Sequence, residues 1–196
     1  MSSNSSNAPQ NPLPPEPGGK VVIVGGESGR WRRIYAYRLL LIILLIVFGF
    51  DQITKLWIIS RLPLGSYGPY NSITIIPDFF YLVHVGNTGA AWSLLTGKST
   101  LLALVAMGTL LAIFLWRRAL GLRDKLAQVA FGLLCGGIIG NLVDRIQHQH
   151  VVDFLDFHFG SYIYPTFNVA DSGICVGVAL YLWHSLIAQP RQNKND

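Results

Sequence analysis

The sequence predicts an all-α polytopic membrane protein, four transmembrane helices carrying a small extracytoplasmic β-rich platform, and three observations lead there. Of 196 residues, 51% are hydrophobic and only 13% charged, against roughly 25% charged in a soluble domain. The apolar residues gather in runs long enough to cross hydrocarbon, which takes about 20 of them. Between the runs lie β-branched and aromatic stretches bounded by turn formers, the pattern of short strands.

In chain order, residues 1–34 read as a disordered extension. MSSNSSNAPQNPLPPEPGGK is rich in Ser, Asn and Pro and too poor in apolar surface to repay the entropy of ordering. VVIVGG at 21–26 is an apolar island too short to assign to an element. A membrane domain follows over 35–188, with spans at about 37–59, 99–116, 127–144 and 169–188, and residues 189–196 form a short tail. The first apolar run sits behind a basic cluster, lacks a small-residue cleavage site and continues into Asp51 and Lys55. It reads as a retained anchor and not as a removed signal peptide.

Orientation follows from Lys and Arg. Arg30, Arg32, Arg33 and Arg38 precede the first span, Arg117, Arg118, Arg123 and Lys125 separate the second and third, and Arg191 and Lys194 follow the fourth. The other two loops, about 60–98 and 145–168, carry only Arg61, Lys98 and Arg145. The positive-inside rule therefore puts both termini in the cytoplasm and the β-rich loops outside. The net charge of +5 reports this topology and excludes nucleic acid as the expected partner. In the outer loops, NSITIIPDFFYLVHVGN reads as strands, and VVDFLDFHFG places Asp153, Leu155, Phe157 and Phe159 on one face of an extended segment. The aromatic residues Phe79, Phe80, Tyr81, Phe154 and Phe157 suit the headgroup boundary.

Polar residues close to hydrocarbon are costly and therefore informative. In GGIIGNLVDR, Asn141, Asp144 and Arg145 share one helical face at the outer end of the third span. Gly136, Gly137 and Gly140 permit close helix approach there. The plainer reading is a helix end whose Asp144 and Arg145 pair with each other and reach to water; the functional one adds a guanidinium that fixes a substrate carbonyl or orients an acid. In PTFNVADSG, Asn168 and Asp171 have capping-box spacing at the start of the fourth span, so Asp171 is either a cap or a carboxylate stabilised at a helix N-terminus. Asp153 has a rival in Asp156, but alternation puts the two on opposite faces, so only one can face Asp171. Asp51 and Lys55 stand i, i+4 near the outer end of the first span, as an ion pair or an interfacial anchor. NTGAAWS, with Asn87, Gly89, Ala90 and Ala91, is a small-residue turn with a free amide. Cys135 and Cys175 lie in apolar runs without metal-like spacing and read as core thiols; no metal or cofactor is expected. Two convergent aspartates suggest acid/base hydrolysis without a nucleophilic Ser or Cys.

Taken in order, DQITK, NTGAAWS, GNLVDR, VVDF and FNVADS make residues 35–188 resemble the lipoprotein signal peptidases, or signal peptidase II. The resemblance implies an aspartyl endopeptidase of the bacterial cytoplasmic (inner) membrane that cleaves diacylglyceryl-modified prolipoproteins just before the lipidated cysteine. It implies Asp153 and Asp171 as the catalytic pair at the outer face. Asn87, Gly89, Asn141, Asp144, Arg145, Asn168, Asp51 and Lys55 are then substrate-binding or supporting residues. Membrane lipids and globomycin-like inhibitors are the other partners implied. The chain departs from the family's pattern at Trp92, where Phe is common, and in its long N-terminal extension. Two other classes are compatible with polar residues in spans: a small transporter, against which the acids' position at one outer edge argues, and a non-catalytic membrane assembly factor.

Overall fold

The computed structural model describes residues 35–68, 71–90 and 94–188. The N-terminal extension with VVIVGG, residues 189–196, Ala91, Trp92, and the basic residues Arg30, Arg32, Arg33, Arg191 and Lys194 lie outside the described residues. The elements run α1 (Arg38–Arg61), β1 (Ile73–Ile76), β2 (Phe80–Asn87), α2 (Ser99–Trp116), α3 (Lys125–His148), β3 (Val151–Phe159), β4 (Tyr162–Ile163) and α4 (Val169–Ala188). Among the described residues, these four helices are long and apolar enough to cross a membrane.

Helix α3 is the centre of the bundle, packed between α1 and α4. It outruns its expected 127–144 at both ends, for local reasons. Asp124 caps the start, its Oδ1 accepting from Leu126 N at 2.8 Å and Ala127 N at 3.1 Å; those N–H donors hold the exposed carboxyl below its usual range. At the far end Gln149 takes a left-handed conformation, φ 62°, and donates its N–H to Arg145 O. The polar stretch around Asn141 stays helical because its side chains find partners inside the bundle. Close approach relies on missing side chains: a Cβ at Gly136 would meet Leu44 O of α1 at 2.8 Å, and one at Gly177 would meet Ala130 O at 2.6 Å. Helix α2 buries little, and Leu104, Val105, Leu111 and Phe114 remain exposed, a surface suited to lipid.

The four strands form one antiparallel sheet in the order β1-β2-β3-β4. Leu82 pairs Leu155 and Val85 pairs Asp153, so β2 carries one extra residue in a bulge. Past the bulge, Asn87 pairs Val151, which sets the Asn87 side chain next to Asp153. Ile58 from α1 packs with Val152 and Phe154, backed by Leu82, Leu155 and Val169. This core seats the start of β3 on the ends of α1 and α4. Phe154 is thus buried and not at the headgroup boundary, because it faces the helix ends and not the outer surface. Phe80 and Phe157 stack at 4.5 Å, with Phe79 edge-on to Phe157.

Candidate active site

Two backbone devices converge on one point. Phe154 N and Leu155 N donate to Phe167 O at 3.1 and 2.9 Å, and Phe167 N donates to Leu155 O. These bonds stitch the segment before α4 onto β3, so Asn168 arrives beside Asp153. Asn168 and Asp171 then form a reciprocal capping box: Asp171 N donates to Asn168 Oδ1 at 2.9 Å, and Asn168 N to Asp171 Oδ2 at 3.3 Å. The Asn168 side chain, wholly buried, donates its Nδ2 to Asp153 Oδ1 at 2.8 Å. One asparagine therefore ties both carboxylates together, through its side chain to Asp153 and its backbone to Asp171.

Asp153 is 2% exposed. Its Oδ2 accepts from Asn87 Nδ2 at 2.9 Å, while Asn87 Oδ1 accepts from Gly89 N and Gly89 O accepts from Arg145 Nη2, each at 2.9 Å. Gly89 is required by crowding, since a Cβ there would lie 2.7 Å from Leu94 O. Burial pushes the Asp153 carboxyl up to about 7, and the neighbouring Asp171 charge adds to this against the amides of Asn87 and Asn168.

Asp171 Oδ1 accepts from Asn141 Nδ2 at 2.7 Å. The orientation of that amide is set from behind: Asn141 Oδ1 accepts from Lys55 Nζ at 3.0 Å and from Asn168 Nδ2 at 3.2 Å, which leaves only the amino group for Asp171. Lys55 is itself buried, with Nζ 2.8 Å from both Asp51 Oδ2 and Asp144 Oδ2. Asp51 Oδ1 accepts from Ala170 N in the first turn of α4, and Asp144 Oδ2 from Val152 N of β3. The ion triad thus locks α1, α3, α4 and β3 together behind the carboxylates.

Two plainer readings fail here. Asp144 pairs with Lys55 and not with its neighbour Arg145, because its side chain turns toward α1; Arg145 instead donates to Gly89 O and Asn141 O. Asp51 and Lys55 do pair, but at full burial and not as an interfacial anchor.

An open cleft of about 1520 Å³ lies over these groups. Asp153, Asp171, Asn87, Gly89, Asn141 and Arg145 line it, whereas Asn168, Asp51, Lys55 and Asp144 stand behind them. Among the described residues, the buried Arg145 Nε finds no hydrogen-bond partner. Asp156 does not line the cleft, in keeping with strand alternation. Cys135 is buried, but Cys175 is exposed and lines the cleft one turn beyond Asp171, so it is not a core thiol; in an all-apolar span nothing local tells which face turns inward. Gln52 escaped the sequence reading. Its Nε2 bridges Asp51 Oδ2 at 3.1 Å and Asp144 Oδ1 at 3.2 Å, and only its adjacence to Asp51 could have pointed to it.

The close approach at Gly140 gives a sharp expectation. A Cβ there would stand 2.5 Å from Asp51 Oδ2 and 3.3 Å from Ala170 Cβ. Gly140→Ala is expected to lower stability by about 1–3 kcal/mol through overpacking, read as thermal unfolding in detergent, with a matching loss of activity as Asp51 is displaced. An unchanged melting temperature would show that the triad tolerates the shift.

The comparisons with known proteins come down on one family. The family model described as signal peptidase (SPase) II matches residues 43–187. A lipoprotein signal peptidase of Bacillus pumilus is 40% identical over 146 residues, covering 74% of this chain and 91% of that protein. One of Shewanella pealeana is 37% identical over 158 residues, covering 79% and 89%. Two solved bacterial membrane enzymes have the same fold. One, determined at 2.3 Å by the in meso method, matches with a TM-score of 0.70 at 32% identity, covering 80% of this chain and 93% of its own. The other, at 1.9 Å, matches with a TM-score of 0.63 at 31% identity, covering 78% and 94%. A multi-pass membrane chain with this match along most of its length belongs to the signal peptidase II family, the lipoprotein signal peptidases.

Proposed function

We propose that this signal peptidase hydrolyses its substrate with Asp153 and Asp171 as a two-carboxylate dyad, cutting a prolipoprotein just before the cysteine that carries diacylglycerol. The observation that carries the reading is the pair itself: one buried and one half-buried carboxyl joined by Asn168 on the wall of one cleft. Asp153 holds the dyad's proton and Asp171 begins as the carboxylate, at the positive end of α4. Water attacks the scissile carbonyl carbon and gives a proton to Asp171, while Asp153 passes its own to the carbonyl oxygen. The tetrahedral intermediate then returns a hydroxyl proton to Asp153 as the carbon–nitrogen bond breaks, and Asp171 protonates the departing amine. The dyad is restored with no covalent intermediate. Asn87 and Asn141 hold the two acids, and Arg145 presents its guanidinium to the substrate backbone.

The same reading puts residues 35–188 forward as one peptidase domain between an N-terminal extension and a short tail. Both termini and the basic α2–α3 connection, with Arg117, Arg118, Arg123 and Lys125, face the cytoplasm. The cleft then opens at the outer face of a bacterial inner membrane. A peptide bond inside a spanning helix is hydrogen bonded and shielded, so a dyad at the boundary meets its bond where the signal helix ends. The acyl chains remain in lipid, and globomycin-like cyclic peptides are expected to compete for the cleft.

Incubating the purified protein with prolipoprotein, with and without the diacylglyceryl group, and reading the product N-terminus by mass spectrometry tests this. Cleavage before the cysteine only in the lipidated substrate is expected; equal cleavage of both refutes the lipid requirement. The rate should also fall as pH rises through about 7, where Asp153 loses its proton and the dyad becomes doubly charged. A rate that climbs steadily to pH 9 is incompatible with this assignment.

A further inference from the structure

A second buried acid on β3 has no part in the chemistry above. Asp156 is 1% exposed, three residues from Asp153 and behind the cleft wall. Burying a carboxylate is costly unless it is hydrogen-bonded. Its Oδ2 lies 2.8 Å from His158 Nε2, and its Oδ1 accepts a long bond, 3.5 Å, from the Tyr67 hydroxyl. Tyr67 lies on the other side of that wall, lining the cleft beside Leu64 and Gly65.

The loop that carries Tyr67 is pinned. Gly65 N donates to His84 O at 2.8 Å, His84 N to Ser66 O at 2.9 Å, and Ser66 Oγ to Pro63 O at 2.7 Å. Tyr67 is 43% exposed and lines the cleft, while its hydroxyl reaches back to Asp156. An ionised carboxylate only accepts, so the phenol proton points at Asp156 and the phenol oxygen keeps its acceptor capacity for the cleft. Burial and the Asp156 charge both push the Tyr67 hydroxyl up from its usual range, which keeps that proton in place.

We infer that Tyr67, oriented by Asp156 and His158, is a substrate-recognition residue whose hydroxyl oxygen accepts a backbone N–H from one of the first two residues after the lipidated cysteine. The direction follows from position. The loop leaves the outer end of α1, beyond the membrane boundary, whereas a signal helix stays among the spans; the chain that runs outward past Tyr67 is therefore the mature side. The inference rests on the proposed peptidase reading and adds a binding contact to it. Because the contact is remote from the scissile bond, it binds ground state and transition state alike.

The test uses the full-length protein in detergent and synthetic diacylglyceryl lipopeptides, unmodified or N-methylated at the first or second residue after the cysteine. Wild-type turnover of the unmodified peptide comes first; its absence overturns the proposed function and this inference with it. Given turnover, Tyr67→Phe is expected to raise KM about threefold to tenfold, the worth of one such hydrogen bond, with kcat within about twofold and melting temperature unchanged. One of the two methylated peptides should show the same KM rise with wild type and no further rise with Tyr67→Phe. Equal KM for wild type and Tyr67→Phe, or methylation losses of the same size in both proteins, overturns the inference while leaving the peptidase reading intact.

Discussion

Lys55→Met is expected to cost the fold about 3–5 kcal/mol, the usual penalty for removing one partner of a buried ion pair, and to silence cleavage. Its ammonium lies 2.8 Å from each of two buried carboxylates, and its third donor fixes the Asn141 amide. Without it, Asp51 and Asp144 face each other uncompensated, and one must take up a proton or draw in water. The two consequences separate experimentally. Adding Asp51→Asn and Asp144→Asn to Lys55→Met removes the orphaned charges and should recover much of the melting temperature. Activity should stay low, because Asn141 is no longer obliged to turn its amino group to Asp171. A triple variant that regains activity along with stability would mean that the triad is only a structural clamp. Lys55→Met with wild-type stability would contradict the burial energetics directly.

Asp153→Asn and Asp171→Asn should each lower the cleavage rate by at least about a thousandfold, since general acid–base catalysis alone contributes 10²–10⁴-fold and the dyad works as a unit. Neither loss should come from unfolding. For Asp153 the sign is clear: its folded pKa, about 7, lies well above the ordinary carboxyl value of 3.8. The folded state therefore bears no charge penalty below about pH 4 and an increasing one as pH rises toward 7. Asp153→Asn removes that penalty, so relative to wild type it should gain stability between pH 4 and 7 and hold the gain at pH 8. Melting curves at pH 5 and pH 8 check this. A variant less stable than wild type at pH 8 would indicate that the carboxylate is structurally supported and not strained for chemistry.

Much of this architecture is legible in the sequence because it rests on local signals. Helix spans follow from apolar length, the antiparallel sheet from β-branched and aromatic stretches, and the start of α4 from the Asn168–Asp171 spacing. What was not legible depends on partners supplied from elsewhere in the chain. Asp144 and Arg145 are neighbours on one helix, yet Lys55 from α1 takes Asp144, and Gly89 from the loop after β2 takes Arg145. Gln52 carries no charge to mark it, and its role appears only once Asp51 and Asp144 are brought together. Phe154 looked interfacial by type, but Ile58 and Val152 enclose it. Alternation separates Asp153, which lines the cleft, from Asp156, which does not, whereas Tyr67, far away in sequence, is the partner that gives Asp156 its setting.

The central claim, that two aspartates perform the cleavage, is tested most directly by one assay. Purified wild type, Asp153→Asn and Asp171→Asn are given the same verified diacylglyceryl prolipoprotein, and the new N-terminus is followed by mass spectrometry with folding checked by melting temperature. The account predicts a product beginning at the lipidated cysteine from wild type and none above background from either folded variant. Full-rate cleavage by either folded variant, or an inert wild type on that substrate, would contradict it.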